Sequence, residues 1–190
     1  PIAFETDVNA AAWGERKWGA ARNLDDFIYI TVGTGIGGGA VSAGKLLHGE
    51  GHPEMGHLRI PRDPSVDPFP GCCPFHDDCL EGLASGTAIQ KRWGVDPRSL
   101  PIDHEAWQLE SAYLSDAILN LTLTLSPERF ILGGGVMEQQ HLFPMIRSKL
   151  NERLADYINI ENIDNFIVPP GLGSKSGVLG AISLATDLIS

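Results

Sequence analysis

Apolar positions recur at two different periods along this chain. Residues 7–21, DVNAAAWGERKWGAA, are rich in helix formers and open on an Asp suited to an N-cap, so they predict a helix whose alanines allow close packing. In 27–49, FIYITVGTGIGGGAVSAGKLLHG, apolar and β-branched residues flank a glycine turn. That pattern predicts a β-hairpin, with a third strand at 44–48. HLRI at 57–60 fits a further strand, and the prolines between 61 and 74 predict a loop. Beyond it the pattern alternates: helix 85–93, long helix 104–125, strand 129–135, helix 141–157, strand 165–170, helix 175–189. A hairpin continued by helix–strand–helix units implies an α/β lobe, its mixed sheet covered by helices. No internal repeat or linker divides it, so 1–190 read as one domain.

Composition adds a real core and a bias in charge. Hydrophobic residues make up 43% and charged residues 20%, which excludes collagen-like and disordered classes. With 14 basic and 24 acidic residues the net charge is −10, opposing non-specific contact with nucleic acid or anionic membrane. No membrane span or signal peptide is visible, so a cytoplasmic location is expected. Pro1 is no initiator methionine and residues 2–4 run straight into a motif, so the chain is expected to begin inside a longer protein.

Four stretches can carry chemistry. In GCCPFHDDCLEG, residues 71–82, Cys73, His76 and Cys79 are spaced as zinc ligands, and His57 can add a fourth. A disulfide and a set of buried small hydrophobes are the alternatives; Cys72 is the spare in an extended segment. VGTGIGGG, 32–39, lets backbone N–H groups of Gly33, Thr34 and Gly35 converge on an anion, or forms a tight hairpin needing positive φ. ILGGGVMEQ, 131–139, is a second strand running into a glycine turn, where α/β sheets place ligands, or simply a βα turn. Asp7 projects into a cleft or caps its helix. Glu54, His57 and Glu81 suit a polyhydroxy ligand or a solvated acidic surface.

With FETDVNAAAWGE, VGTGIGGG, HPEMGHLRI, CPFHDDCLEGLASGTAI and ILGGGVM in that order, essentially the whole chain resembles the C-terminal lobe of the ROK family (repressor, open reading frame, kinase), and within it the bacterial fructokinases. The resemblance implies an actin-like, ribonuclease-H-like kinase whose two lobes close over ATP and sugar. It implies transfer of the ATP γ-phosphoryl to a hexose, most readily fructose to fructose 6-phosphate, with Mg²⁺ and a structural zinc. A glucose or mannose kinase and the sugar-sensing body of a repressor are the alternatives.

At matching positions the resemblance makes Asp7 the catalytic base and places Glu54, His57 and Glu81 on sugar. Gly33, Thr34 and Gly35 hold phosphate, and Thr87, Gly134, Gly135, Val136, Met137 and Glu138 line the nucleotide pocket. His57, Cys73, His76 and Cys79 hold zinc. The CPFHDDC form departs from the family's commoner CxCGxxGC loop, and Thr6 stands where many members have Asn. The implied partners are sugar, nucleotide, an N-terminal lobe with the other phosphate loop and a second copy in a homodimer, with no DNA-binding segment.

Overall fold

Apolar, β-branched FIYITV forms β1 (Phe27–Val32), and glycine-rich IGGGAVS forms β2 (Ile36–Ser42), in the computed structural model, which describes residue 2 and residues 4–188. The two pair antiparallel, with Phe27 opposite Val41 and Val32 opposite Ile36. β3 (Lys45–Leu46) extends the hairpin side. On the other edge β4 (Arg129–Gly133) and β5 (Ile167–Val168) add in parallel, giving the order β3-β2-β1-β4-β5. The expected mixed sheet is therefore present.

Helices cover both of its faces, which is why β1 is apolar almost throughout. Phe27, Tyr29 and Ile131 meet the alanines of α1 (Asp7–Trp18). Ile28, Ile30, Phe130 and Leu132 meet α2 (Leu80–Ala84), α4 (Ala106–Leu125) and α5 (Leu142–Leu154). α7 (Ser176–Asp187) lies along α1 so closely that a Cβ at Gly180 would stand 1.6 Å from the Ala10 carbonyl oxygen. Buried Glu15 ties this pair together. It accepts hydrogen bonds from the N–H groups of Ala20 (2.6 Å), Gly171 (2.9 Å) and Leu172 (3.0 Å) and from the Ser176 hydroxyl (2.7 Å).

Several expected boundaries move for local reasons. α1 stops at Trp18, because the Glu15 carboxylate occupies the space beside Gly19 and captures the Ala20 N–H. HLRI is no strand. Met55–His57 makes a 3-10 turn, Pro53 and Pro61 offer no N–H, and only an isolated bridge of Arg59 with Cys79 remains. The helix expected at 85–93 is α3 (Gly86–Trp93), and the shorter α2 precedes it. Ser85 separates them with an extended backbone while its hydroxyl caps α3 through the Ala88 N–H. The strand expected at 165–170 shrinks to β5 behind α6 (Ile163–Phe166), because Pro169 and Pro170 cannot donate to a ladder. The expected last residue of the final helix, 189, lies outside the described residues.

The proline loop is pinned rather than loose. Its Asp67, 2% exposed, accepts from Arg92 of α3 at 3.1 and 3.0 Å and from the Tyr113 hydroxyl of α4 at 2.6 Å. Burial, reinforced by that carboxylate, pushes the Tyr113 phenol above its ordinary value. The loop thus delivers residues 71–79 to a fixed place beside α2.

Candidate active site and metal centre

At the head of α1 the N-cap is Thr6, whose hydroxyl accepts from the Asn9 N–H at 3.2 Å; Asp7 is the first helical residue. This corrects the expectation that Asp7 caps. Its carboxylate accepts one bond from the adjacent Val8 N–H at 2.9 Å and is otherwise exposed on a cleft of about 440 Å³. Thr6, Gly33, Thr34, Gly35, Glu54 and Glu81 share that cleft. Three carboxylates and a glycine loop therefore meet at one opening.

The loop owes its glycines to space, not to torsion. None of residues 33–35 has a positive φ, so the reading of a hairpin that requires one is overturned. A Cβ at Gly33 would meet nothing within 4 Å, and one at Gly35 would stand 2.6 Å from the Glu81 carboxylate, so the backbone faces the cleft directly. Glu81 accepts from the Ile36 N–H at 3.0 Å, the Gly33 carbonyl accepts from the Gly86 N–H at 2.7 Å, and the Thr34 carbonyl accepts from the Thr87 hydroxyl at 2.7 Å. These bonds hold the loop while the N–H groups of Thr34 and Gly35 find no acceptor among the described residues. Such amides suit an anion.

The second glycine turn is torsional. Gly134 has φ +90 and a Cβ there would stand 2.4 Å from the Val32 carbonyl oxygen. It opens, with Gly135, Met137 and Glu138, onto a second cleft of about 480 Å³. Thr31 lines both clefts, so they adjoin across β1. It was missed because a Thr inside a strand reads as ordinary sheet. Val136 is buried and lines neither cleft; its side chain packs beside Gly86. Thr87 opens instead onto a hollow with Thr34, Glu81 and Lys91 on the other side of the loop, so the expected nucleotide residues fall on two sides of it. Lys91, exposed on α3, was also missed; a lone cation in a polar helix carries no signal.

His57, Cys73, His76 and Cys79 come together, and the disulfide alternative does not form: all three cysteines are free thiols. The separations are 3.3 Å between the two histidine Nδ1 atoms, 3.6 Å from Cys73 Sγ to His57 Nδ1, 3.9 Å from Cys73 Sγ to His76 Nδ1 and 3.5 Å from Cys79 Sγ to His57 Nδ1. A tetrahedron with zinc's usual bond lengths has N···N edges of about 3.3 Å and N···S edges of about 3.6 Å. The residues fit such an ion with all four positions closed. Burial raises the Cys79 thiol above its ordinary value, with the neighbouring Cys73 adding to it. Cys72 stays outside the cluster. His57 faces the cluster through Nδ1 and does not line the acidic cleft.

Glycine turns at the carboxyl ends of β1 and β4, beneath a helix that starts on a cleft-facing carboxylate, define an actin-like ATPase lobe of the kind found in sugar kinases. Residues 1–188 match the ROK family, and the chain belongs to it. It is 44% identical over 185 residues to a fructokinase of Pediococcus pentosaceus, covering 97% of this chain and 64% of that protein. The chain thus spans less than two thirds of that relative's length.

Among solved structures, a ROK hexokinase from Thermus thermophilus superposes with a TM-score of 0.84 at 28% identity, covering 100% of this chain and 66% of the other. A ROK family glucokinase from Streptomyces griseus, in complex with glucose and AMPPNP, gives 0.76 at 29% identity over 98% of this chain and 69% of its own.

Proposed function

We propose that the protein containing this chain phosphorylates a hexose with ATP, converting fructose to fructose 6-phosphate. The observation that carries this reading is the offset at the head of α1: Thr6 caps the helix and leaves the Asp7 carboxylate on a cleft beside an amide-rich glycine loop. The 44% identity to a fructokinase supports the sugar, and the glucokinase bound to AMPPNP supports a nucleotide triphosphate. In this reading Asp7 accepts the proton of the 6-hydroxyl as it attacks the γ-phosphorus. Glu54 and Glu81 accept hydrogen bonds from other sugar hydroxyls, and His57, which stands outside the cleft lining, offers its remaining nitrogen, Nε2, only to a part of the sugar that extends beyond it.

Phosphoryl transfer needs alignment and charge neutralisation more than covalent chemistry. Thr34 and Gly35 hold phosphate oxygens through free N–H groups, with the Gly33 N–H bonded to the Gly35 carbonyl behind them, and Gly134, Gly135, Met137, Glu138 and Thr87 border the nucleotide. Mg²⁺ carried with ATP would neutralise phosphate charge. A zinc held by His57, Cys73, His76 and Cys79 supplies no chemistry; these residues fix the segment bearing Glu81 relative to the glycine loop. An N-terminal lobe completes the phosphate cradle, and the complete protein works in the cytoplasm as a homodimer. The test is ADP release by the complete protein with fructose, glucose and mannose in turn. Release highest with fructose supports the assignment; release with none of them overturns it.

A further inference from the structure

Among the described residues, one other group of histidine and carboxylate side chains converges: Glu5, His48 and His52, whose donor atoms lie within 4.8 Å of one another. Glu5 precedes α1, and the histidines sit on the loop that follows β3. His48 Nε2 lies 2.8 Å from Glu5 Oε1. Asn9, 1% exposed, reaches the same point. Its amide nitrogen is 2.8 Å from Glu5 Oε2, 3.4 Å from His48 Nε2 and 3.5 Å from His52 Nδ1. One hydrogen of that nitrogen serves Glu5 and the other can serve His52 Nδ1, because His48 Nε2 donates to the Glu5 carboxylate.

Turning the carboxamide over exchanges its oxygen and nitrogen with almost no change of shape. An oxygen then stands at that corner, 3.4 and 3.5 Å from the two histidine nitrogens, close to the edges of about 3.3 Å in a tetrahedral site with bonds near 2.0–2.1 Å, while Glu5 reaches His48 and Asn9 through its two different oxygens. The rings agree with this. The His48–His52 centroids are 5.2 Å apart at 61°, and those of His57–His76, in the set whose spacing fits zinc, are 5.0 Å apart at 62°.

We propose that Glu5, His48, His52 and the carboxamide oxygen of Asn9 form a second metal site, distinct from the cysteine cluster. Two imidazoles with two oxygens suit a borderline divalent transition ion such as zinc. The ion would tie the start of α1, where Asp7 stands, to the loop carrying Glu54. His52 itself lines the acidic cleft, so the clamp sets the distance between acids on its two sides. This does not depend on which ligand fills the cleft. Without an ion the same side chains form a hydrogen-bonded network, and the two arrangements differ in their response to Asn9→Asp.

Cobalt(II) titrated into chelator-stripped protein tests the proposal, because thiolate ligation gives an intense charge-transfer band and nitrogen–oxygen ligation does not. Two equivalents are expected, only one of them adding thiolate charge transfer. His48→Ala/His52→Ala is expected to take one equivalent and keep that band, which also reports that the cysteine cluster still folds. Asn9→Asp places a second carboxylate against Glu5; it is expected to melt below the parent protein when stripped and to regain the difference with cobalt. One equivalent in the parent protein, two in the double histidine variant, or an Asn9→Asp deficit unchanged by metal would each overturn the second site.

Discussion

Thr6 and Asp7 divide two jobs that either could have done. The hydroxyl satisfies a helix N–H, and the carboxylate is left for the cleft. Thr6→Ala is therefore expected to cost about 1 kcal/mol of stability, the usual loss for a removed cap, read by chemical denaturation. Glu110 on α4 is the opposite kind of acid. It is fully buried, neither carboxylate oxygen has a hydrogen-bond partner among the described residues, and desolvation raises its pKa well above 4.5 despite the counteracting charge of Arg92.

Below about pH 4.5 the Glu110 carboxyl is protonated in both folded and unfolded chains and adds no pH dependence. Above that the unfolded chain loses the proton while the folded one keeps it, so folding stability falls as pH rises towards the raised folded value. Glu110→Gln should flatten that fall and gain stability at neutral relative to acidic pH, measured by melting across pH. Neither acid announces itself in the sequence: Glu15 and Glu110 both look like solvated helix residues, and only the packed structure shows one satisfied by four donors and the other by none.

At the scale of elements, α1 and α7 approach so closely that Gly180→Ala must push a methyl into the Ala10 carbonyl. Overpacking of this kind costs about 1–3 kcal/mol, and a lowered denaturation midpoint with an unchanged slope would report it. The cysteine loop has little regular structure, and in the proposed reading a bound ion holds it. Cys79→Ser is expected to abolish the thiolate-bound ion and to lower the melting temperature, because the binding energy of a structural metal contributes to folding; metal analysis beside a melting curve checks both.

Long helices and the central strands were legible because their apolar residues dictate burial on their own. HLRI and 165–170 were not, because the prolines beside them deny a ladder its donors and the remaining residues fold to fit neighbours. The convergence of Cys73, His76 and Cys79 was legible from their spacing, since a tight turn closed by Cys73 and Asp77 carries His76 and leads directly to Cys79. What the sequence could not show is that the GTG glycines serve close approach and an open backbone face, with no positive φ.

As a whole molecule, and in the proposed reading, the chain offers one wall of a transfer site. Its glycine loops and acids lie on open clefts, and exclusion of water from the reacting groups needs a lid. Residues 1–190 alone should bind sugar weakly and release negligible ADP, and the remaining part of the protein added in trans should restore turnover. Asp7 is the group on which the proposed transfer depends most. Fructose-dependent ADP release by the complete protein, compared between Asp and Asp7→Asn, tests it most directly. A fall in kcat of about 10²–10⁴-fold is expected, the usual worth of a general base, with fructose affinity kept within a few-fold. Near-normal kcat in the Asn variant would contradict it.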